Sequence, residues 1–74
     1  MRIVDTAKLR YYMAKSGCRS AADLSRATGV NRVTVSGVMN GTVLPSSEVM
    51  DKIIIALNIP LAEAGGVFFA KKLA

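Results

Sequence analysis

Within seven residues, Asn31-Arg-Val-Thr-Val-Ser-Gly37, the chain gathers a carboxamide, a guanidinium, two hydroxyls and apolar methyl groups. Groups of these types donate hydrogen bonds and offer apolar contact, which suits phosphate oxygens, the polar edges of bases and the methyl of thymine. They do not suit bond-breaking. Ser36 stands in no Gly-x-Ser-x-Gly frame, and the chain holds no histidine to take its proton. Paired carboxylates are also missing between Ser20 and Asn40, where Asp23 stands alone. With one cysteine, Cys18, and no histidine, the chain can assemble neither a disulfide framework nor a Cys/His zinc site. Catalysis, a metal and a cofactor are therefore not expected. Cys18 reads as a small buried hydrophobe.

Each residue of the cluster has a bland alternative. Arg32 suits a bidentate contact to guanine or a phosphate contact, against a solvated surface arginine. Val33 suits a thymine methyl, against an ordinary surface valine. Thr34 and Ser36 are hydroxyl donors for phosphate or base, unless they bond the preceding helical turn. Gly37 is either a tolerated helix glycine or a missing side chain that lets the helix lie closer to the bases. Charge adds weight to the sharper readings. Up to Gly41 seven basic residues face two acidic ones, whereas from Thr42 onward three face three, so the net +5 lies entirely in the half that holds the cluster. Arg10, Lys15, Arg19 and Arg26 belong to this excess, and together they attract a polyanion even if each alone is solvated.

Short helices must position these groups, because the apolar spacing is three and four rather than alternating. Asp5 caps a first helix with Val4 and Leu9 as its hydrophobic staple, and Leu9, Tyr12, Met13 and Ser16 share a face that ends at Gly17. Ser20-Ala-Ala-Asp23 has capping-box spacing and opens a second helix that runs through Leu24 and Ala27 to Thr28-Gly29. Asn31 caps a third, stapled by Val30 and Val35. On it Val35 and Val38 point inward, leaving Arg32, Val33, Ser36 and Gly37 on the other side. Asn40-Gly41 ends it, and Pro45 restricts Leu44 to extended conformations. Ser46 caps a fourth helix bearing Val49, Met50, Ile53, Ile54 and Leu57. The Ile53-Ile54-Ile55 run is β-prone, but the spacing from Val49 to Leu57 predicts helix. Asn58-Ile59-Pro60 breaks the chain before a fifth helix from about Leu61 to Leu73, weakened by Gly65-Gly66.

The segment from Ser20 to Gly41 resembles the helix-turn-helix of the phage lambda repressor and Cro-like (XRE) family. Leu24-Ser25, Gly29-Val30, Asn31, Thr34-Val35-Ser36 and Asn40-Gly41 fill the places of that pattern, and the likeness extends from about Leu9 to Leu61. It implies an all-α, lambda repressor-like bundle of about five short helices, with the third helix in the major groove of double-stranded DNA. It further implies that Asn40 holds a phosphate and that the start of the second helix, at Ser20 and Ala21, meets the DNA backbone with its amides. There are two departures. Ala21 stands where the family often has glutamine, and Met13 and Met39 stand where it commonly pairs arginine with glutamate. Exchange of both members of a partly buried ion pair for apolar groups is tolerated, whereas exchange of one is costly.

At 74 residues the chain makes a single domain with a small core. Val67, Phe68 and Phe69 on the fifth helix (about residues 60–73) are more apolar surface than one such domain is expected to bury, so they are read as a homodimer surface. No membrane span is expected, because Asn58, Pro60 and Glu63 interrupt the longest apolar stretch. No signal peptide is expected either, and a bacterial cytoplasm is the anticipated setting. The leading expectation is a transcriptional regulator of the repressor or Cro type, such as those that set a phage's lytic or lysogenic choice. Two other readings are a DNA-binding antitoxin whose C-terminal helix holds a toxin, and a protein-binding adaptor on the same fold.

Overall fold

The computed structural model describes residues 2–68 and 70–71, with the side chains of residues 4–68. Among them are five helices, α1 (Thr6–Lys15), α2 (Ala21–Thr28), α3 (Arg32–Met39), α4 (Ser47–Leu57) and α5 (Leu61–Phe68). Two two-residue strands, β1 (Arg2–Ile3) and β2 (Ala70–Lys71), pair antiparallel with Arg2 opposite Lys71 and Ile3 opposite Ala70.

The helices begin where their caps place them. Asp5 accepts a hydrogen bond from the Lys8 amide, Ser20 from Asp23, Asn31 from Val33 and Ser46 from Val49, each satisfying one of the amides that a first helical turn leaves without a partner. The Asp23 carboxylate reaches back to the Arg19 amide at 3.0 Å, one residue before the cap. The core is one cluster to which every helix contributes, with Leu9 and Met13 from α1, Leu24 from α2 and Val35 from α3 at its N-terminal side. In α4, Met50, Ile53 and Leu57 are buried while Ile55 is 79% exposed. That arc is a helical face, so the isoleucine run is helix despite its local β preference. Ser16 ties α1 to the far end of α4 by donating to the Leu57 carbonyl at 3.2 Å.

The C-terminal segment departs from expectation twice. The fifth helix ends at Phe68 rather than near Leu73, and the chain then pairs with the N-terminal strand. The Asp5 amide donates to the Val67 carbonyl at 2.7 Å, so a carbonyl of the last turn is met by the N-terminal segment instead of by further helix. Gly65 and Gly66 give α5 little propensity of its own to continue. The second correction concerns Val67 and Phe68, expected on a dimer surface. Both are 0% exposed, because α5 folds back on α1 and α4 and offers them a pocket within the same chain. Phe69, the third residue of that expectation, lies outside the described residues.

Candidate nucleic-acid interface

A projecting helix needs its corner held, and four hydrogen bonds hold the corner between α2 and α3. Gly29 closes α2 in the left-handed conformation at φ 75°, where a Cβ is disfavoured. Its amide donates to the Ser25 carbonyl at 2.7 Å. Thr28 Oγ1 donates back to the Leu24 carbonyl at 2.8 Å and accepts from the Val30 amide at 3.1 Å. Ser25 Oγ then reaches past the turn and donates to the Val30 carbonyl at 2.6 Å. With Val30 buried beneath the turn, α2 and α3 are fixed at one angle. Ser25 and Thr28 carry no functional signal in the sequence, since hydroxyls at a helix end look like ordinary cap chemistry. Their contribution is to aim α3.

On α3, Val35, Val38 and Met39 face the core. The opposite side carries Arg32, exposed, and Val33, 79% exposed, with Thr34, Ser36 and Gly37 half-buried beside them. Arg32, Val33 and Ser36 line one open hollow on this face. Neither the Thr34 nor the Ser36 hydroxyl has a hydrogen-bond partner among the described residues, unlike Thr28, which bonds its own helix. Asn31 is occupied as the cap of α3, its Oδ1 accepting from the Val33 amide at 2.7 Å. Asn40 is exposed just after the last turn.

The flanking residues divide. Arg19 and Ser20 are exposed and Ala21 is half-buried at the start of α2. Arg26 forms an exposed ion pair with Asp23 one turn earlier on the same helix, a contact of small energetic value. Arg10 on α1 reaches across to the last turn of α3, where its guanidinium donates to the Met39 carbonyl at 3.4 Å. Met13 and Met39 are 2% and 8% exposed and line one cavity with Arg10 and Cys18. The two methionines thus occupy the apolar junction of α1 and α3.

Gly37 has an intramolecular reason that the sequence does not reveal. A Cβ placed on it would lie 2.5 Å from Val43 Cγ2, in the loop after α3. The missing side chain is therefore the space into which that loop packs. No signal in the chain marks this, because it depends on where residues 42–43 turn back.

Among the described residues there is no group of three or more side chains suited to hold a metal, and no helix is long and apolar enough to cross a membrane. No curated relative and no solved structure matches the chain. A family model of the Cro/C1-type HTH DNA-binding domain matches residues 8–64, which takes in all but the first two residues of α1, the whole of α2 to α4, the held corner, the outward face of α3 and the start of α5. With that match over most of its length and this geometry beneath it, the chain belongs to the Cro/C1-type helix-turn-helix DNA-binding domains.

Proposed function

We propose that this chain is a transcriptional regulator of the repressor or Cro type that binds a specific double-stranded DNA site as a homodimer. The observation that carries the reading is the outer face of α3, where Arg32 and Val33 stand exposed on a helix held at a fixed angle in the basic half of the chain. An α-helix fits the major groove, and its first turn then reaches base edges. In this reading Arg32 contacts a guanine or a phosphate, and Val33 meets a thymine methyl. The hydroxyls of Thr34 and Ser36 donate to base or backbone. Asn31, Asn40, Ser20, the Ala21 amide, Arg19 and Arg26 lie along the backbone and set the register. The protein works in the cytoplasm of a bacterial cell, where its DNA is.

A single module of this size seldom recognises a site tightly on its own, which supports a two-fold dimer. Since Val67 and Phe68 are enclosed, the contact has to use other side chains. Away from α3, the most exposed large apolar residues among the described ones are Leu61 at 83% and Ile55 at 79%, at the corner between α4 and α5. A dimer places the two copies of α3 about 34 Å apart, one turn of duplex, so the preferred site is an approximate palindrome.

Selection of bound duplexes from a random pool, followed by affinity measurement across salt, tests the proposal. The expected result is a palindromic site whose affinity falls roughly ten- to a thousandfold between low and moderate ionic strength. Native mass determination should show a dimer that shifts on that duplex. Binding that is flat in salt, or a chain found only as a stable complex with a second protein from its source cell, would overturn it, the latter in favour of an antitoxin.

A further inference from the structure

Gly37 lies one helical turn beyond Val33 on the outer face of α3, and the place of its side chain is taken from outside the helix. A Cβ there would lie 2.5 Å from Val43 Cγ2 and 3.0 Å from Val43 Cβ. Three hydrogen bonds to one carbonyl fix the loop in this position. The Thr42 and Val43 amides donate to the Gly37 oxygen at 2.9 and 3.2 Å, and Thr42 Oγ1 donates to it at 3.2 Å. Val43 is nevertheless 41% exposed, and Val33, one turn earlier than Gly37 on the helix, is 79% exposed. The outer face of α3 therefore carries two valine side chains in a row, one from the helix and one from the loop. The place that Val43 takes is that of a side chain four residues after Val33 on the helix, a position about 6 Å from Val33.

We propose that Val43 is a second base-reading residue, which meets a thymine methyl about two base-pair steps from the one met by Val33. Successive bases along a strand are about 3.4 Å apart, so a spacing of about 6 Å spans two steps. The C5-methyl of thymine is the one apolar group that the major groove displays, and valine, having no hydrogen-bonding atom, can favour nothing else there. Glycine at position 37 seats the loop side chain rather than drawing the helix backbone onto the bases. This inference rests on the duplex-binding reading above and adds a position to it.

The test uses the full chain and the duplex it selects. Each thymine of that duplex is replaced in turn by deoxyuridine, which lacks only the methyl, and affinity is measured for the wild type, Val43→Ala and Val33→Ala. Two thymines per half-site, about two steps apart, should each show a loss of about fourfold with the wild type, the worth of one buried methyl. At one of them Val43→Ala should no longer distinguish thymine from uracil while Val33→Ala still does, and at the other the roles should reverse. A half-site with fewer than two such thymines overturns the proposal, and that scan needs no variant. So does a second sensitive position that persists in Val43→Ala. In both cases the duplex-binding reading stands, whereas failure of the chain to select any duplex overturns both.

Discussion

Two corners of this chain are built on one plan. After α2 the backbone turns left-handed at Gly29, buries Val30 and caps α3 with Asn31. After α4 it turns left-handed at Asn58 (φ 54°), buries Ile59 and enters α5 through Pro60, whose carbonyl accepts from the Glu63 and Ala64 amides at 2.8 and 3.0 Å. Both are a left-handed residue, a buried aliphatic and a helix start, and both join short helices. What they deliver is opposite. The first leaves its second helix with Arg32 and Val33 bare, in a segment with an excess of positive charge; the second turns Val67 and Phe68 wholly inward, in a segment of balanced charge. A helix-turn-helix corner is thus a device for setting an angle, and the side chains on its outer face decide whether it is a reading head or a clasp on the core.

The largest effect should come from the clasp. Phe68→Ala is expected to cost about 3–5 kcal/mol in urea denaturation, as a large aromatic removed from full burial. Leu61→Ala on the same helix, at 83% exposure, should change the stability of the unassociated chain by no more than about 0.5 kcal/mol. Equal losses at the two positions would break the assignment of α5 to a buried and a bare side.

Next in size is the junction of α1 and α3. Met39→Glu should destabilise the fold by about 1–3 kcal/mol, since it desolvates a carboxylate at a buried position that the neighbouring Arg10 guanidinium offsets only in part, and addition of Met13→Arg should recover more than half. A double-mutant cycle read by denaturation decides this, and additive damage would show that the two side chains are not partners.

The reading head should respond in the reverse sense to the clasp. Arg32→Ala is expected to lower affinity for the selected duplex by about 1–3 kcal/mol and to relax preference at one position of each half-site. Its melting should stay that of the wild type, because the side chain is exposed. Loss of stability without loss of binding would invert the comparison between the two corners.

The smallest effect probes the shared plan itself. Gly29→Ala should cost about 1 kcal/mol through the left-handed backbone alone, since no neighbouring atom lies within 4 Å of the added Cβ. Gly29→Asn, which copies the other corner, should cost less, because asparagine tolerates that conformation. Thermal denaturation of both variants would show whether the corners are interchangeable, and a larger loss for asparagine would show that they are not.

The four caps at Asp5, Ser20, Asn31 and Ser46 were legible because capping is a contact between residues two or three apart. The inward faces of α3 and α4 were legible because periodicity records burial. Residues 61–73 misled for the same reason, since an apolar run states that side chains are to be buried but not by what. The chain cannot announce that Phe68 finds its pocket against α1 and α4, nor that a strand after α5 will meet residues 2–3. On the candidate interface, Arg32, Val33, Ser36 and Gly37 could be placed outward from helical spacing alone. Why Gly37 lacks a side chain there could not be read that way, because the reason is Val43.

The helices, their caps, the break at Gly29 and the segregation of charge are therefore written in the chain, since all of them depend on local geometry or on composition. Which apolar residues close the core, where the fifth helix stops, how Ser25 locks α3 to α2, and that Val43 stands over Gly37 on the outer face follow only from the folded arrangement. The reason is the range of the interactions. Caps and turns are satisfied within a few residues, whereas burial, strand pairing and the packing of a loop on a helix depend on groups that only the folded chain brings together.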